Sequence, residues 1–301
     1  MSRRPGSQVR TTVHAVRGGT VATRTDALAT EEPLEIRLAA GGQQRTVAVT
    51  MRTPGGDFEL AAGFLFGEGV VASREEIRHI VYCLDVPAEQ LYNVVTVELR
   101  ADRFPDLAPL ERYGYTTSAC GVCGKGSIEV LIRRGCRPPV GALHLTHETL
   151  LQLPERLRAG QRLFAPTGGL HASALFDARG TLLAVREDVG RHNAMDKLVG
   201  WALLEGRVPL DDHIVMVSGR ASFELVQKAV AAGIPVFCAV SAPSSLAVET
   251  ARAFGVTLVG FLRGDRFNVY SGFDRLVPPA PVSSASPAPQ TSAPPDRSAS
   301  R

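Results

Sequence analysis

The sequence predicts an α/β protein, with a parallel or mixed sheet domain behind a smaller N-terminal α+β domain. Three observations predict it. Short runs rich in Val, Ile and Leu alternate with helical segments from Leu182 to Leu262, the pattern of buried strands joined by crossover helices. Each helical segment is followed by glycine (Gly206, Gly233, Gly255), the residue that tolerates the left-handed conformation ending a helix. Before residue 112 the periodicity is instead that of hairpin strands, with alternating residues and glycine turns.

In chain order, residues 1–25 are polar, rich in Arg and Thr, and weakly periodic; they read as a disordered N-terminal arm. The small α+β domain spans residues 26–112. Leu34, Ile36 and Leu38 alternate with Glu35 and Arg37, Gly41-Gly42 follows, and Val47 and Val49 alternate again, which predicts a hairpin. Phe58 to Phe66 is apolar and helix-capable after the breaker Pro54-Gly55-Gly56. Ser73-Arg74-Glu75-Glu76 fits a capping box. Ile80 to Cys83 and Val94 to Leu99 read as further strands. The α/β domain spans residues 113–277 and opens with a Gly-rich loop at 116–127. Its strands are predicted at Leu182–Val185, His213–Val217, Ile234–Val240 and Val256–Leu262. Its helices are predicted at about Asn193–Glu205, Ser222–Ala232 and Ser245–Phe254. Residues 278–301 are dominated by Pro, Ser and Ala and read as a disordered tail.

Composition excludes several classes. A charged fraction of 21% with 45% apolar residues is globular. A net charge of +3 is too small to argue for nucleic acid. No stretch approaches the ~18 unbroken apolar residues of a membrane helix. The basic N-terminus has no apolar segment behind it, so a cytoplasmic location is expected. Five cysteines do not make a disulfide framework. The basic residues are skewed: 30 are arginine and only Lys125, Lys197 and Lys228 are lysine. That skew suits a genome-wide bias, under which a surviving lysine marks a place where arginine will not do.

Loops leaving the C-terminal ends of parallel strands line the ligand crevice. Here they are Glu187-Asp188-Val189-Gly190-Arg191-His192-Asn193, Ser218-Gly219-Arg220-Ala221-Ser222, Ser241-Ala242-Pro243-Ser244-Ser245 and Arg263-Gly264-Asp265-Arg266. Three of them open helices, whose free N–H groups attract anions, and their arginines can bond phosphate. One such loop is explained by helix capping and surface arginine. Four on one edge point to a pocket for a phosphorylated, nucleotide-like ligand. Gly168-Gly169-Leu170-His171 precedes this sheet and adds His171 as a candidate. A zinc deaminase would need Glu two residues after the histidine and a downstream Pro-Cys-x-x-Cys. Residue 173 is Ser and the Cys pair lies upstream, so that chemistry is excluded.

The sharpest feature is Cys120-Gly121-Val122-Cys123-Gly124-Lys125. A structural zinc site requires four ligands, and the other cysteines are scattered singly. A dithiol oxidoreductase is a second reading, although such motifs sit at a strand-to-helix junction near a domain start. The third is sulfur carriage as a cysteine persulfide. It needs an accessible thiol of lowered pKa, which a neighbouring cation and a glycine loop can supply; Lys125 is that cation. Spacing does not order Cys120 and Cys123.

These motifs, with Glu187 through Lys197, Ser218 through Glu224, Ala239 through Val248 and Gly260 through Tyr270, resemble the formate dehydrogenase accessory sulfurtransferases, the FdhD family. The resemblance covers about Asp26 to Leu276. It implies a sulfurtransferase that receives sulfur from an L-cysteine desulfurase. The sulfur passes to the molybdenum cofactor, bound as bis-molybdopterin guanine dinucleotide, on its way to formate dehydrogenase. Guanine nucleotides would then act as partial mimics. It further implies a cytidine-deaminase-like fold and a homodimer. It maps the persulfide onto Cys120 and a cofactor-binding stretch onto Phe261, Leu262, Arg263, Gly264, Asp265 and Arg266. Two alternatives stand beside it: a non-catalytic chaperone for the cofactor, and a zinc-stabilised nucleotide-binding module.

Overall fold

The computed structural model describes residues 6–107, 124–141 and 143–277, with no account of the side chains of residues 124–127. Fourteen strands and seven α-helices lie in these segments. Strands β1 (Gln8–Arg17) and β2 (Thr20–Ala29) pair antiparallel through their full length. This corrects the expectation of a disordered arm where it covers residues 8–25; residues 1–5 lie outside the described residues. The turn residues Gly18 and Gly19 take φ of 55° and 81°, which suits a two-residue hairpin turn. The ribbon is wet on most sides, with Val16 70% exposed and Val21 62% exposed. No burial imposes the period-2 pattern by which a strand is recognised in sequence.

Strands β3 (Glu32–Ala40) and β4 (Gln43–Arg52) form the expected hairpin about Gly41 and Gly42. With β5 (Ile77–Tyr82) and β6 (Val94–Leu99) they make a sheet of order β4-β3-β6-β5, in which only β3 and β6 are parallel. Helix α1 (Asp57–Gly67) covers one face. Its start is fixed by Arg52, fully buried, whose guanidinium donates to both Asp57 carboxylate oxygens at 3.1 Å and to Asn93 Oδ1 at 3.0 Å. At Arg74–Glu76 the chain forms one 3₁₀ turn, and Ser73 makes no side-chain cap.

Helix α2 (Gly124–Arg133) begins directly after Cys123 in the sequence, so the last four residues of the loop expected at 116–127 are helical instead. Next come β7 (Leu145–Thr146), α3 (His147–Gly160), α4 (Phe164–Thr167) and β8 (His171–Phe176). Then β9 (Leu182–Asp188), α5 (Arg191–Leu204), β10 (Ile214–Val217), α6 (Phe223–Ala231), β11 (Val236–Ala239), α7 (Ser245–Ala253) and β12 (Thr257–Arg263) alternate as predicted. Strands β13 (Arg266–Ser271) and β14 (Leu276–Val277) close the described chain. The six-stranded sheet has the order β13-β12-β11-β10-β8-β9. It is mixed rather than parallel: β10, β11 and β12 are parallel, while β8 and β13 run against their neighbours. Strand β8 lies between β10 and β9, where the sequence pattern predicts no strand. The segment begins after paired glycines and is only six residues long, which hides it.

Two cores line the two faces of this sheet. Leu150, Leu153 and Leu157 of α3 pack with Ile214, Met216 and Val236 on one face. On the other, α5, α6 and α7 pack with α1 and with Leu34, Ile36, Val95 and Val97 of the small sheet. That second core is continuous across both sheets. The crossing of α1 and α5 is close enough to exclude any side chain. A Cβ at Gly63 would lie 1.9 Å from the Asp196 carbonyl oxygen, and one at Gly200 would lie 1.8 Å from the Glu59 carbonyl oxygen. Among the described residues, no helix is long and apolar enough to cross a membrane.

Candidate functional site

The four predicted loops meet at one edge of the six-stranded sheet. Strands β9 to β12 end there. Strands β8 and β13 start there because they run the other way: His171 pairs with Asp188, and Arg266 with Arg263. The loops are laced together by backbone bonds. Ser218 N donates to Ala172 O at 2.9 Å, Ser241 N to Gly219 O at 3.2 Å, and Phe261 N to Ser241 O at 3.1 Å. The Ser218 hydroxyl accepts from Ala172 N at 2.9 Å, so it braces the edge. A Cβ at Gly219 would stand 3.4 Å from His171 Nδ1, which places the glycine against the imidazole.

The candidates separate into those that face the edge and those that hold it together. Arg220, Arg263, Gly264, Asp265 and Arg266 are exposed, and His171, Arg191, His192, Ser241 and Phe261 are half-buried. Phe261 takes a left-handed φ of 53° at an irregularity between β12 and β13. Its ring lies 6.0 Å below the Arg263 guanidinium. Left-handed backbone is costly for a bulky residue and concentrates at functional positions. Gly168 and Gly169 lie between α4 and the start of β8.

Asp188, Asn193 and Leu262 are turned inward. Asp188 is fully buried and pairs with Lys197 Nζ at 2.6 Å. It also accepts from Thr53 N at 3.1 Å, Gly190 N at 2.9 Å and Asn193 Nδ2 at 3.0 Å. Asn193 in turn donates to Met51 O at 2.7 Å. These groups fasten the first loop to the end of β4 and have no atoms left over for a ligand. Leu262 belongs to the core on the α3 face. The sequence pattern does not reveal Thr53 as a site-forming residue, since its contacts with Asp188 and Lys197 cross 135 and 144 residues of chain.

Electrostatics divides the two histidines. Burial first, then the charges of Arg191 and His192, hold the His171 imidazole below its usual range, against an opposing pull from Asp188. His192 Nε2 lies 3.5 Å from Ser222 Oγ and 3.8 Å from Glu224 Oε2. The imidazole's proximity is the largest influence on Glu224 and lowers that carboxyl to about 2. Arg191 Nε is buried without a protein partner among the described residues.

Cys120 and Cys123 lie outside the described residues, and of Lys125 only the backbone, in the first turn of α2, is described. The far end of that helix is anchored. Arg134 donates to Gly67 O at 3.1 Å and faces Glu68 at 3.8 Å. Lys228 lies 3.9 Å from Glu68 and 2.6 Å from Asp196. Burial raises the Asp196 carboxyl, and Lys228 opposes that shift. Among the described residues, no group of three His, Cys, Asp or Glu could hold a metal ion.

The sequence profile of the FdhD/NarQ family matches residues 29–277. The Sulfur carrier protein FdhD of Streptomyces coelicolor is 56% identical over 267 residues, covering 87% of this chain and 93% of that protein. The protein of the same name from Mycobacterium tuberculosis is 52% identical over 262 residues, covering 85% and 94%. That of Sulfurisphaera tokodaii is 42% identical over 268 residues, covering 89% and 98%. A crystal structure from Desulfotalea psychrophila, described as a formate dehydrogenase accessory protein, superposes with a TM-score of 0.69 at 28% identity, covering 90% of this chain and 99% of that one.

Proposed function

The chain belongs to the FdhD/NarQ family, and from that premise we propose that it is a sulfur carrier serving the maturation of formate dehydrogenase. Cys120 receives sulfur from an L-cysteine desulfurase. The Cys120 thiolate attacks the terminal sulfur of the donor's persulfide, the donor cysteine leaves as a thiolate, and Cys120 keeps the terminal sulfur as its own persulfide. Lys125 favours the thiolate electrostatically, and Cys123 assists release or protects the carrier. The cargo that accepts the sulfur is the molybdenum cofactor in its bis-molybdopterin guanine dinucleotide form, before it passes to formate dehydrogenase.

The observation that carries this reading is the convergence of four small loops, basic or hydroxyl-rich, on one sheet edge. The N-termini of α5, α6 and α7 open from three of these loops, and Arg220, Arg263 and Arg266 stand exposed around them. Unpaired N–H groups and guanidinium forks suit pyrophosphate, and the Phe261 ring suits a flat guanine base. Gly168, Gly169, His171, Ser218, Gly219 and Ser241 supply backbone and side-chain contacts. Asp188 and Asn193 hold the first loop in place. The strand order β9-β8-β10-β11-β12, with β8 alone reversed among these five, supports the cytidine-deaminase-like assignment. A homodimer belongs to the same reading.

Mass spectrometry after incubation with a desulfurase and L-cysteine tests it. We expect an adduct of about 32 Da, one sulfur, on Cys120 and its loss in Cys120→Ala. No adduct on either thiol, with formate dehydrogenase activity intact in the double variant, would replace the relay with a cofactor chaperone.

A further inference from the structure

The β1–β2 ribbon has no task in the relay described so far. Its root lies beside the cargo edge. Ser7, one residue before β1, donates its hydroxyl to Pro54 O at 2.8 Å, and the neighbouring Thr53 bonds to Asp188 of the first edge loop. Strand β2 packs against α4, which leads through Gly168 and Gly169 into His171. From that root the ribbon runs to its glycine tip with no register shift. A two-residue turn is closed by hydrogen bonds between its flanking residues, here Arg17 and Thr20, and bonded and non-bonded pairs alternate from there. The bond from Thr30 N to Ser7 O at 3.1 Å keeps the same phase at the root. The main-chain N–H and C=O of Arg10, Thr12, His14 and Val16 therefore point away from β2. All four residues are exposed. Among the described residues, no third strand and no backbone group of another element meets this edge.

Free edges are commonly blunted by proline, a bulge, short length or a covering element. Strand β1 is 10 residues long and regular, and it carries no proline. A two-stranded ribbon is marginal in water and gains from a third strand. The edge also has a charge sign. Arg10 and Arg17 stand on β1 and Arg24 on β2, against Asp26 alone, which pairs with Arg24 at 3.6 Å. Val16 and Val21 form an exposed apolar pair across the tip. Resting on the sulfur-carrier reading above, we propose that β1 is the docking edge for formate dehydrogenase, which adds an extended acidic segment as a third strand of the ribbon. Main-chain bonds to Arg10, Thr12, His14 and Val16 supply affinity, and the arginines admit an acidic strand while repelling a basic one. A second copy of the ribbon meets that repulsion along its length. The root beside the cargo edge brings the enzyme to the end of the molecule where its cofactor is released.

Calorimetry tests the proposal, with cofactor-free formate dehydrogenase from the same organism titrated into the full chain at low and high salt. Wild type should bind, and more weakly at high salt. Thr12→Pro removes an outward N–H and leaves the ribbon's own ladder in place. It should weaken binding about tenfold, the worth of a main-chain bond or two. Arg10→Glu with Arg17→Glu should weaken it at least as much, and Arg10→Lys with Arg17→Lys should keep it near wild type. Sulfur uptake from inorganic polysulfide should match wild type in every variant, which separates a lost edge from a lost fold. Wild-type affinity in both the proline and the glutamate variants overturns the proposal and leaves the sulfur-carrier reading intact. So does a fall in oligomer mass by light scattering with enzyme affinity unchanged, which gives the edge to a second copy. A wild-type chain that takes up sulfur but does not bind the enzyme overturns the proposal as well, and one that does neither overturns the sulfur-carrier reading with it.

Discussion

Lysine is scarce in this chain, and the two lysines whose side chains are described are both buried against aspartate. Lys197 fills the space between Asp188, Thr53 O and Gly56, and Lys228 that between Asp196 and Gly67. A compact ammonium fits these spaces, and a planar guanidinium is a different shape. We therefore expect Lys197→Arg to destabilise by about 1–3 kcal/mol through overpacking. Lys197→Met, which strands the Asp188 carboxylate, should cost about 3–5 kcal/mol. Urea midpoints measure both, and an Arg variant as stable as wild type would return the lysine skew to composition alone. Lys125→Arg puts the same question to the sulfur carrier: loading of Cys120 should slow. Glu224 makes a pH-dependent contribution of fixed sign. Its folded value is depressed to about 2, so its stabilisation is complete above the ordinary carboxylate range and is lost as pH falls through about 2. His171 and His192 were legible because they sit in short glycine-flanked motifs. Glu224 was not, because its meeting with His192 depends on how two helices pack.

At the scale of elements, α1 and α5 determine how the two sheets sit together. Their backbones touch at Gly63 and Gly200, and Arg186 of β9 reaches across to Glu59 of α1 with two bonds of 2.6 and 2.7 Å. Ala at either glycine must force the helices apart, and rearrangement of a packed core costs about 1–3 kcal/mol or more. Thermal melts should show Gly63→Ala and Gly200→Ala losing stability together, and an unchanged melting temperature would contradict the close crossing. The buried β–α alternation from Leu182 onward was legible, since burial on both faces writes continuous apolar runs. The elements that escaped had a competing signal. Helix α3 carries Pro154 inside it, β8 follows paired glycines, and the β1–β2 ribbon lacks a buried face.

At the scale of the whole molecule, the sheet edge and helix α2 are tied to one helical layer. Arg134 fastens the end of α2 to α1 through Gly67 and Glu68, and Lys228 ties Glu68 to α5 and α6. The position of the edge was legible from the four loops alone. Its closure by the reversed strands β8 and β13, which bring His171 and Arg266 to the same side, required the sheet order. If this edge holds the proposed cargo, it should bind guanine nucleotides. Arg263→Ala and Arg266→Ala should weaken that binding in calorimetry, and equal affinities would move the cargo site elsewhere. The central claim, that sulfur held on Cys120 passes to cargo bound at this edge, is tested most directly by a single turnover. Sulfur-loaded protein is mixed with an equimolar amount of the desulfurated cofactor, and the mass of the Cys120 peptide is followed with time. The account predicts that the added sulfur leaves Cys120 as it appears on the cofactor, and that Arg263→Ala slows the exchange without affecting loading. Retention of the adduct on Cys120 in the presence of bound cofactor would contradict it.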